Sequence, residues 1–376
     1  MAPLAPSRRD LLAAASALGI GGSTFQRAIA AETVAEPSGP VTAEMVKNAE
    51  WIAGIELTDD QRMQVAAAMT RARVDFAQMH AIDVPNSIPP AIHFLPDLAP
   101  RPKKPEPAKL ERLNVYGPPE IDENRPKNLD DLAFLPLAAL ANLIRNKKVS
   151  STELTKLTLT RFKKFDPALQ CVISLTEELA LKQAARADRE IAAGKYRGPL
   201  HGVPWAAKDL IAYPGYKTTW GAGHFKDQAF DEKATVAERL DSAGAVLTAK
   251  VSLGSLALND EWFGGKTRNP WNVKQGSSGS SAGSAASVAA GLVSFAIGSE
   301  TQGSILSPCT RCGVTGLRPT FGRVSRHGCM ALAWSMDKLG PLARGVNDCA
   351  LVFAAIHGAD GKDPTAVDRP FAWPNT

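Results

Sequence analysis

The sequence is poor in the side chains that most often carry catalysis or hold metals. It has 6 histidines and 5 cysteines in 376 residues, and only 6% of its residues are aromatic. An odd number of cysteines cannot all pair. Cys309 and Cys312 form a C-x-x-C, but no second pair and no well-spaced histidine accompanies it, so buried thiols are expected rather than a zinc or redox site. Charge of one sign is also scarce: the formal net charge is +5, with acids and bases interleaved. The basic stretch "RPKKPEPAK" around Lys103 and Lys104 alternates with proline and carries no aromatic ring, which is the composition of a solvated linker. Neither nucleic acid nor an anionic membrane is therefore expected as a partner. No apolar run reaches the roughly 20 residues that span a bilayer.

The N-terminus is of a different kind. Ser7, Arg8, Arg9, Asp10, Leu11 and Leu12 form a twin-arginine sequence, followed by an apolar segment to Ile20 and by Ala28, Ile29 and Ala30 as an A-x-A site. That order predicts a twin-arginine export signal over residues 1–30, with a periplasmic or secreted mature protein.

Residues 31–127 predict an extension of helical and proline-rich character. Met45 to His80 reads as helix, with Thr58 as a cap, and Pro85 to Pro126 as a strap without regular structure. From Asn128 the pattern changes to alternating helices and strands. Ser150 and Glu153 have capping-box spacing ahead of a helix carrying Leu154, Leu157, Phe162 and Phe165 on one face, which Asp166 and Pro167 should stop. "CVISL", "VPWAAKDL", "AVLTAKV" and "LVSFAIG" read as strands. Glu177–Ala193, Ala234–Ala243 and "SAASVAAG" read as helices, with Gly194 and Gly244 ending the first two. This alternation predicts an α/β fold with a β-sheet flanked by helices.

Two serine-rich stretches stand out, "QGSSGSSAGSAA" from Gln275 and "GSETQGSI" from Gly298, with no histidine near either. Gly279 to Gly283 satisfies G-x-S-x-G, the pattern of a nucleophile elbow around Ser281. That motif needs a preceding strand, and "NPWNVKQ" is a poor one, although His327, His357, Asp337 and Asp348 follow in an order that a Ser-His-Asp triad would accept. The other route to an activated serine is a neutral lysine, which burial produces by disfavouring the ammonium. Lys208 follows Val203, Trp205, Ala206 and Ala207, a setting in which burial is expected.

Together "HGVPWAAKDL", "RNPWNVKQGSSGSSAGSAASVAAG", "IGSETQGSI" and "CGVTGLRPTFGRVSRHG" resemble the amidase signature family, in the right order and from Asn128 to the C-terminus. The resemblance implies a large α/β domain with a mixed β-sheet, and a catalytic lysine, a bridging serine on a cis peptide bond and a serine nucleophile. Lys208 matches the lysine and Ser304 the nucleophile. "GSS" occurs twice in tandem, and Ser280, 24 residues before Ser304, has the family's interval. Ser280 is thus the bridging serine, Ser277 belongs to the flanking turn, and Ser284 and Ser287 serve close packing. The oxyanion would be held by backbone N–H groups of Thr301, Gln302, Gly303 and Ser304. This chemistry needs no cofactor and no metal.

Gln302 stands where the family has glycine, Glu300 replaces an aspartate, and Ala282 replaces a glycine; none removes a member of the triad. Only 72 residues follow Ser304, whereas family members run on well past that point. The expectation is therefore the N-terminal part of an amidase signature domain (128–376), truncated, with its sheet incomplete and an exposed edge that invites a homo-oligomer. The resemblance implies an exported amidase acting on a small-molecule amide; an inactive, truncated member that only binds is the alternative. The export signal argues against a role in the cytoplasmic transamidosome.

Overall fold

A computed structural model of the chain describes residues 39–82 and 125–373. The expected export signal and nearly all of the proline-rich strap lie outside the described residues. The chain divides into two units, 1–85 and 86–376.

In the first unit, the expected single helix from Met45 to His80 is two helices, α1 (Ala43–Ala53) and α2 (Asp59–His80). Gly54 separates them at φ +65°, a left-handed turn that glycine adopts without a Cβ penalty. Thr58 opens α2 as expected. Its hydroxyl accepts the Gln61 N–H at 3.3 Å, and Gln61 Oε1 accepts the Thr58 N–H at 2.8 Å. Arg62 ties α2 to α1 through Glu50 at 2.6 and 2.9 Å.

The second unit begins with α3 (Leu137–Arg145) and α4 (Ser151–Leu169). Ser150 caps α4, accepting the Glu153 N–H at 3.0 Å. Pro167 does not stop α4, which runs to Leu169 and closes at Gln170 in the left-handed region. This close to a helix C-terminus, proline forfeits a single ladder bond while its φ suits the helix. Asp166 helps to end the element by accepting the N–H groups of Cys171 and Val172 at 2.7 and 2.9 Å.

Next come β1 (Val172–Leu175), α5 (Glu177–Ala192), β2 (Pro204–Lys208), α6 (Thr235–Ser242) and β3 (Val246–Val251). Two small ribbons intervene, β4 (Glu261–Trp262) with β5 (Gly265–Lys266), and β6 (Arg268–Asn269) with β7 (Asn272–Gly276). The chain continues through α7 (Ala282–Ala289), β8 (Phe295–Glu300), α8 (Leu306–Cys312), β9 (Thr315–Gly316), β10 (Lys338–Ala343) and α9 (Val346–Ile356).

Six strands form one mixed sheet in the order β1-β3-β2-β8-β10-β9. Its centre, β3-β2-β8, is parallel, and the pairs β1-β3, β8-β10 and β10-β9 are antiparallel. Every residue of the three central strands is buried, as expected of parallel strands covered on both faces. Trp205 and Phe295 stack at 6.2 Å between neighbouring strands. Truncating a wholly buried Trp205 to alanine should cost about 3–5 kcal/mol.

Candidate active site

Lys208 is the last residue of β2 and has no exposed surface. Its Nζ lies 2.8 Å from Ser280 Oγ, 3.0 Å from Ser281 Oγ, 2.9 Å from Ser299 Oγ and 3.2 Å from the Ser299 carbonyl. Burial pulls its pKa down to about 7, against the fields of Asp337 and Glu300, which favour the ammonium. Among the described residues it makes no ion pair.

A second buried lysine shows what that means. Lys250 on β3 aligns with Ala207 while Lys208 aligns with Val251, so the two lysines project to opposite faces of the sheet. Lys250 Nζ meets Asp209 Oδ1 at 2.8 Å, with both side chains fully buried. Asp209 is held in turn by the N–H and hydroxyl of Thr219 at 2.7 and 2.6 Å. One lysine is thus kept beside a carboxylate, and the other is surrounded by hydroxyls.

The serine loop 277–281 links β7 to α7. The Gly279–Ser280 peptide is cis. A Cβ on Gly279 would stand 1.8 Å from the Asn259 carbonyl oxygen, so only glycine permits this approach of the two backbones. Asp260 accepts the Ser278 N–H at 2.9 Å, and Thr267 O accepts that of Ser277 at 2.9 Å. Ser281 exchanges hydrogen bonds with Ser299: its hydroxyl donates to the Ser299 carbonyl at 3.1 Å, and the Ser299 N–H donates to its oxygen at 3.2 Å. Ser284 and Ser287 donate to Ile297 O and Ser284 O, the packing roles expected of them.

Ser304 joins this group through its carbonyl, which accepts the Ser281 N–H at 3.0 Å. The turn 301–304 is anchored at both ends. Thr301 Oγ1 donates to Asp337 Oδ1, and Asp337 Oδ2 accepts the N–H groups of Leu332 and Ala333 at 2.6 and 3.1 Å. Glu300 Oε2 accepts the N–H groups of Ile305 and Leu306 at 2.8 and 3.0 Å. Burial works against the Glu300 charge, yet these N–H groups, that of Gly303 and Arg318 together hold its carboxyl below the ordinary value. Gly303 is left-handed at φ +84°, whereas Gln302 is not, and its side chain is exposed. A side chain in place of the family's glycine therefore fits this turn.

The elements of a Ser-His-Asp site are not assembled. His327 Nε2 pairs with Glu232 at 2.8 Å, His357 stacks on Phe353 at 5.3 Å, Asp348 accepts the Leu137 N–H at 3.0 Å, and Asp337 is engaged with Thr301. "NPWNVKQ" does contain a strand, β7, but it pairs with β6 alone and stays outside the main sheet. Cys309 and Cys312 are free thiols in α8, and burial pushes Cys312 up to about 12. Among the described residues no group of acids, histidines and cysteines could hold a metal, and no helix is long and apolar enough to cross a membrane.

Sequence reasoning missed Ser299 as a partner of the lysine and Asp337 as the anchor of the turn. Ser299 reaches Lys208 only because β8 lies beside β2, and Asp337 reaches Thr301 only because β10 pairs antiparallel with β8, setting Lys338 opposite Glu300.

Known proteins resemble this chain in sequence and in fold. A glutamyl-tRNA(Gln) amidotransferase subunit of Marinomonas sp. (strain MWYL1) is 44% identical over 237 residues, 62% of this chain and 49% of that protein. The chain thus spans about half the length of the curated relatives it matches. The peptide amidase from Stenotrophomonas maltophilia superposes with a TM-score of 0.62 at 40% identity, over 65% of this chain and 52% of that one. A bacterial aryl acylamidase of the amidase signature enzymes gives 0.59 at 31%, over 63% and 50%. With the Amidase family model matching residues 153–376, the chain belongs to the amidase signature family.

Proposed function

We propose that this chain hydrolyses a carboxamide to a carboxylate and ammonia or an amine, through an acyl-enzyme on Ser304. The observation that carries this reading is Lys208, buried, without a carboxylate partner and 2.8 Å from Ser280. Names among its relatives, peptide amidase and aryl acylamidase, point to the same reaction class.

Proton accounting supports a direction for the relay. A neutral lysine has two N–H donors and one lone pair. The Ser281 hydroxyl hydrogen is committed to the Ser299 carbonyl, so Ser281 Oγ only accepts, taking one lysine N–H. In the proposed arrangement the second N–H goes to Ser299. The lone pair is left for Ser280, whose hydroxyl can donate to it.

In the proposed reaction Ser304 Oγ attacks the amide carbon. Its proton passes to Ser280 Oγ as the Ser280 proton passes to Lys208 Nζ. The oxyanion accepts N–H groups of the turn Thr301, Gln302 and Ser304, the Gly303 N–H expected there being directed at the Glu300 carboxylate instead; loss of one such donor typically costs about 3 kcal/mol in the transition state. Lys208 then returns the proton through Ser280 to the leaving nitrogen as the C–N bond breaks. Water, deprotonated by the same relay, hydrolyses the ester.

Labelling by a fluorophosphonate, mapped by mass spectrometry, tests this reading. Modification at Ser304 supports it. A folded protein with no labelled serine favours the second reading, an inactive family member that only binds a ligand or a partner. Export to the periplasm is proposed on the twin-arginine sequence at Arg8 and Arg9, and cell fractionation checks it.

A further inference from the structure

A cavity of about 650 Å³ opens among Trp220, Phe225, Leu256, Met330 and Leu332. Short hydrogen-bond links join its walls to residues that adjoin the proposed catalytic group. The Trp220 N–H donates to Asp209 O, beside Lys208, and the Met330 N–H to Leu210 O. The Leu332 N–H donates to Asp337, which holds Thr301 in the turn before Ser304. The Leu256 N–H donates to Trp220 O, and the same loop presents Asn259 O against Gly279, beside Ser280.

Charged side chains on the wall all have partners. Arg326 is bound to Asp363 at 3.2 Å and to Thr365 at 3.0 Å, His327 to Glu232 at 2.8 Å, and Lys362 to Glu238 at 3.0 Å. Most of the surface left to meet a ligand is apolar. Trp220 and Phe225 stand 4.8 Å apart as an aromatic corner, while Leu256 and Leu332 are 44% and 51% exposed. Trp220 and Leu256 also hold left-handed backbones, at φ 55° and 51°. Non-glycine residues tolerate that conformation only where their surroundings impose it, and such positions concentrate at ligand sites.

We propose that this cavity receives a neutral apolar or aromatic group carried by the amide substrate. The inference rests on the amidase reading for its link to Ser304, and it selects among amides: those bearing a phenyl or branched alkyl group are favoured over acetamide or over an amide bearing free charges.

Binding to the Ser304→Ala protein tests this without requiring turnover. Calorimetry with 4-phenylbutyramide and with acetamide should show the phenyl amide binding at least about tenfold more tightly, the scale of discrimination an apolar pocket supplies. Leu256→Glu and Leu332→Glu, each verified as folded by circular dichroism, should each compress that ratio towards one. Equal binding of the two amides, or a preference that survives both substitutions, would overturn the proposal. Because the readout is binding, its failure is distinct from failure of the amidase reading, which would show as unlabelled Ser304 in the wild-type protein.

Discussion

Lys208 and Lys250 sit on neighbouring central strands, wholly buried and on opposite faces, and of the two only Lys250 has a carboxylate at its nitrogen. The difference assigns them different chemistry. Burial lowers the pKa of Lys250 as well, but the Asp209 carboxylate opposes that and favours its ammonium, whereas an unpaired lysine ringed by hydroxyls is suited to be a base.

The first consequence is in the pH profile. With Lys208 brought down to about 7, the amine form fills as pH rises, so kcat/KM for an amide should climb through pH ~7 and then level off. Rates measured from pH 5 to 9 check it. A flat profile across pH 7 would show that no group of this kind limits the reaction.

Stability should depend on the same group, with a determinate sign. Its folded pKa is depressed from 10.5, so between about 7 and 10.5 the unfolded chain binds more protons and Lys208 makes folding more favourable as pH rises. Relative to Lys208→Met, the wild type should gain roughly 1 kcal/mol per pH unit in that window. Denaturant midpoints of the two proteins at pH 7, 8.5 and 10 give the comparison.

Gly279→Ala should be severe. Its Cβ would fall 1.8 Å from the Asn259 oxygen, so the Ser280 loop must move, at a cost of about 1–3 kcal/mol in stability. Amide hydrolysis should fall much further than the loss of folded protein explains. Ala282→Gly, at a position where the family carries glycine, is the contrasting control.

Asp337 acts on the turn rather than on substrate. Asp337→Ala leaves the Thr301 hydroxyl and two N–H groups without their acceptor, and should reduce kcat about tenfold or more with a stability loss of about 1–3 kcal/mol. Thr301→Ser, which keeps the hydroxyl, should recover most of the activity that Thr301→Val loses. Equal rates for the two would place the hydroxyl outside the mechanism.

Local pattern was enough to find the strand that carries Lys208, because Val203, Trp205, Ala206 and Ala207 form an unbroken apolar approach to it; the choice of Ser280 over Ser277 rests instead on the interval that the family resemblance implies. Partners brought by the sheet were not legible: the roles of Ser299 and Asp337 depend on strand order, and the Lys250–Asp209 pair joins residues 41 positions apart in the chain. Two local readings also failed for local reasons. Gly54 divides what reads as one helix, since a left-handed residue there ends the ladder, and Pro167 fits the last turn of α4 that it was expected to stop.

The most direct test of the account is ammonia release from a panel of primary amides by the purified protein, beside Ser304→Ala and Lys208→Ala. The account predicts release by the wild type, none by Ser304→Ala, and a fall of about 10³-fold or more for Lys208→Ala, in keeping with loss of a general base that acts through the nucleophile. Release that persists undiminished in Ser304→Ala would contradict it.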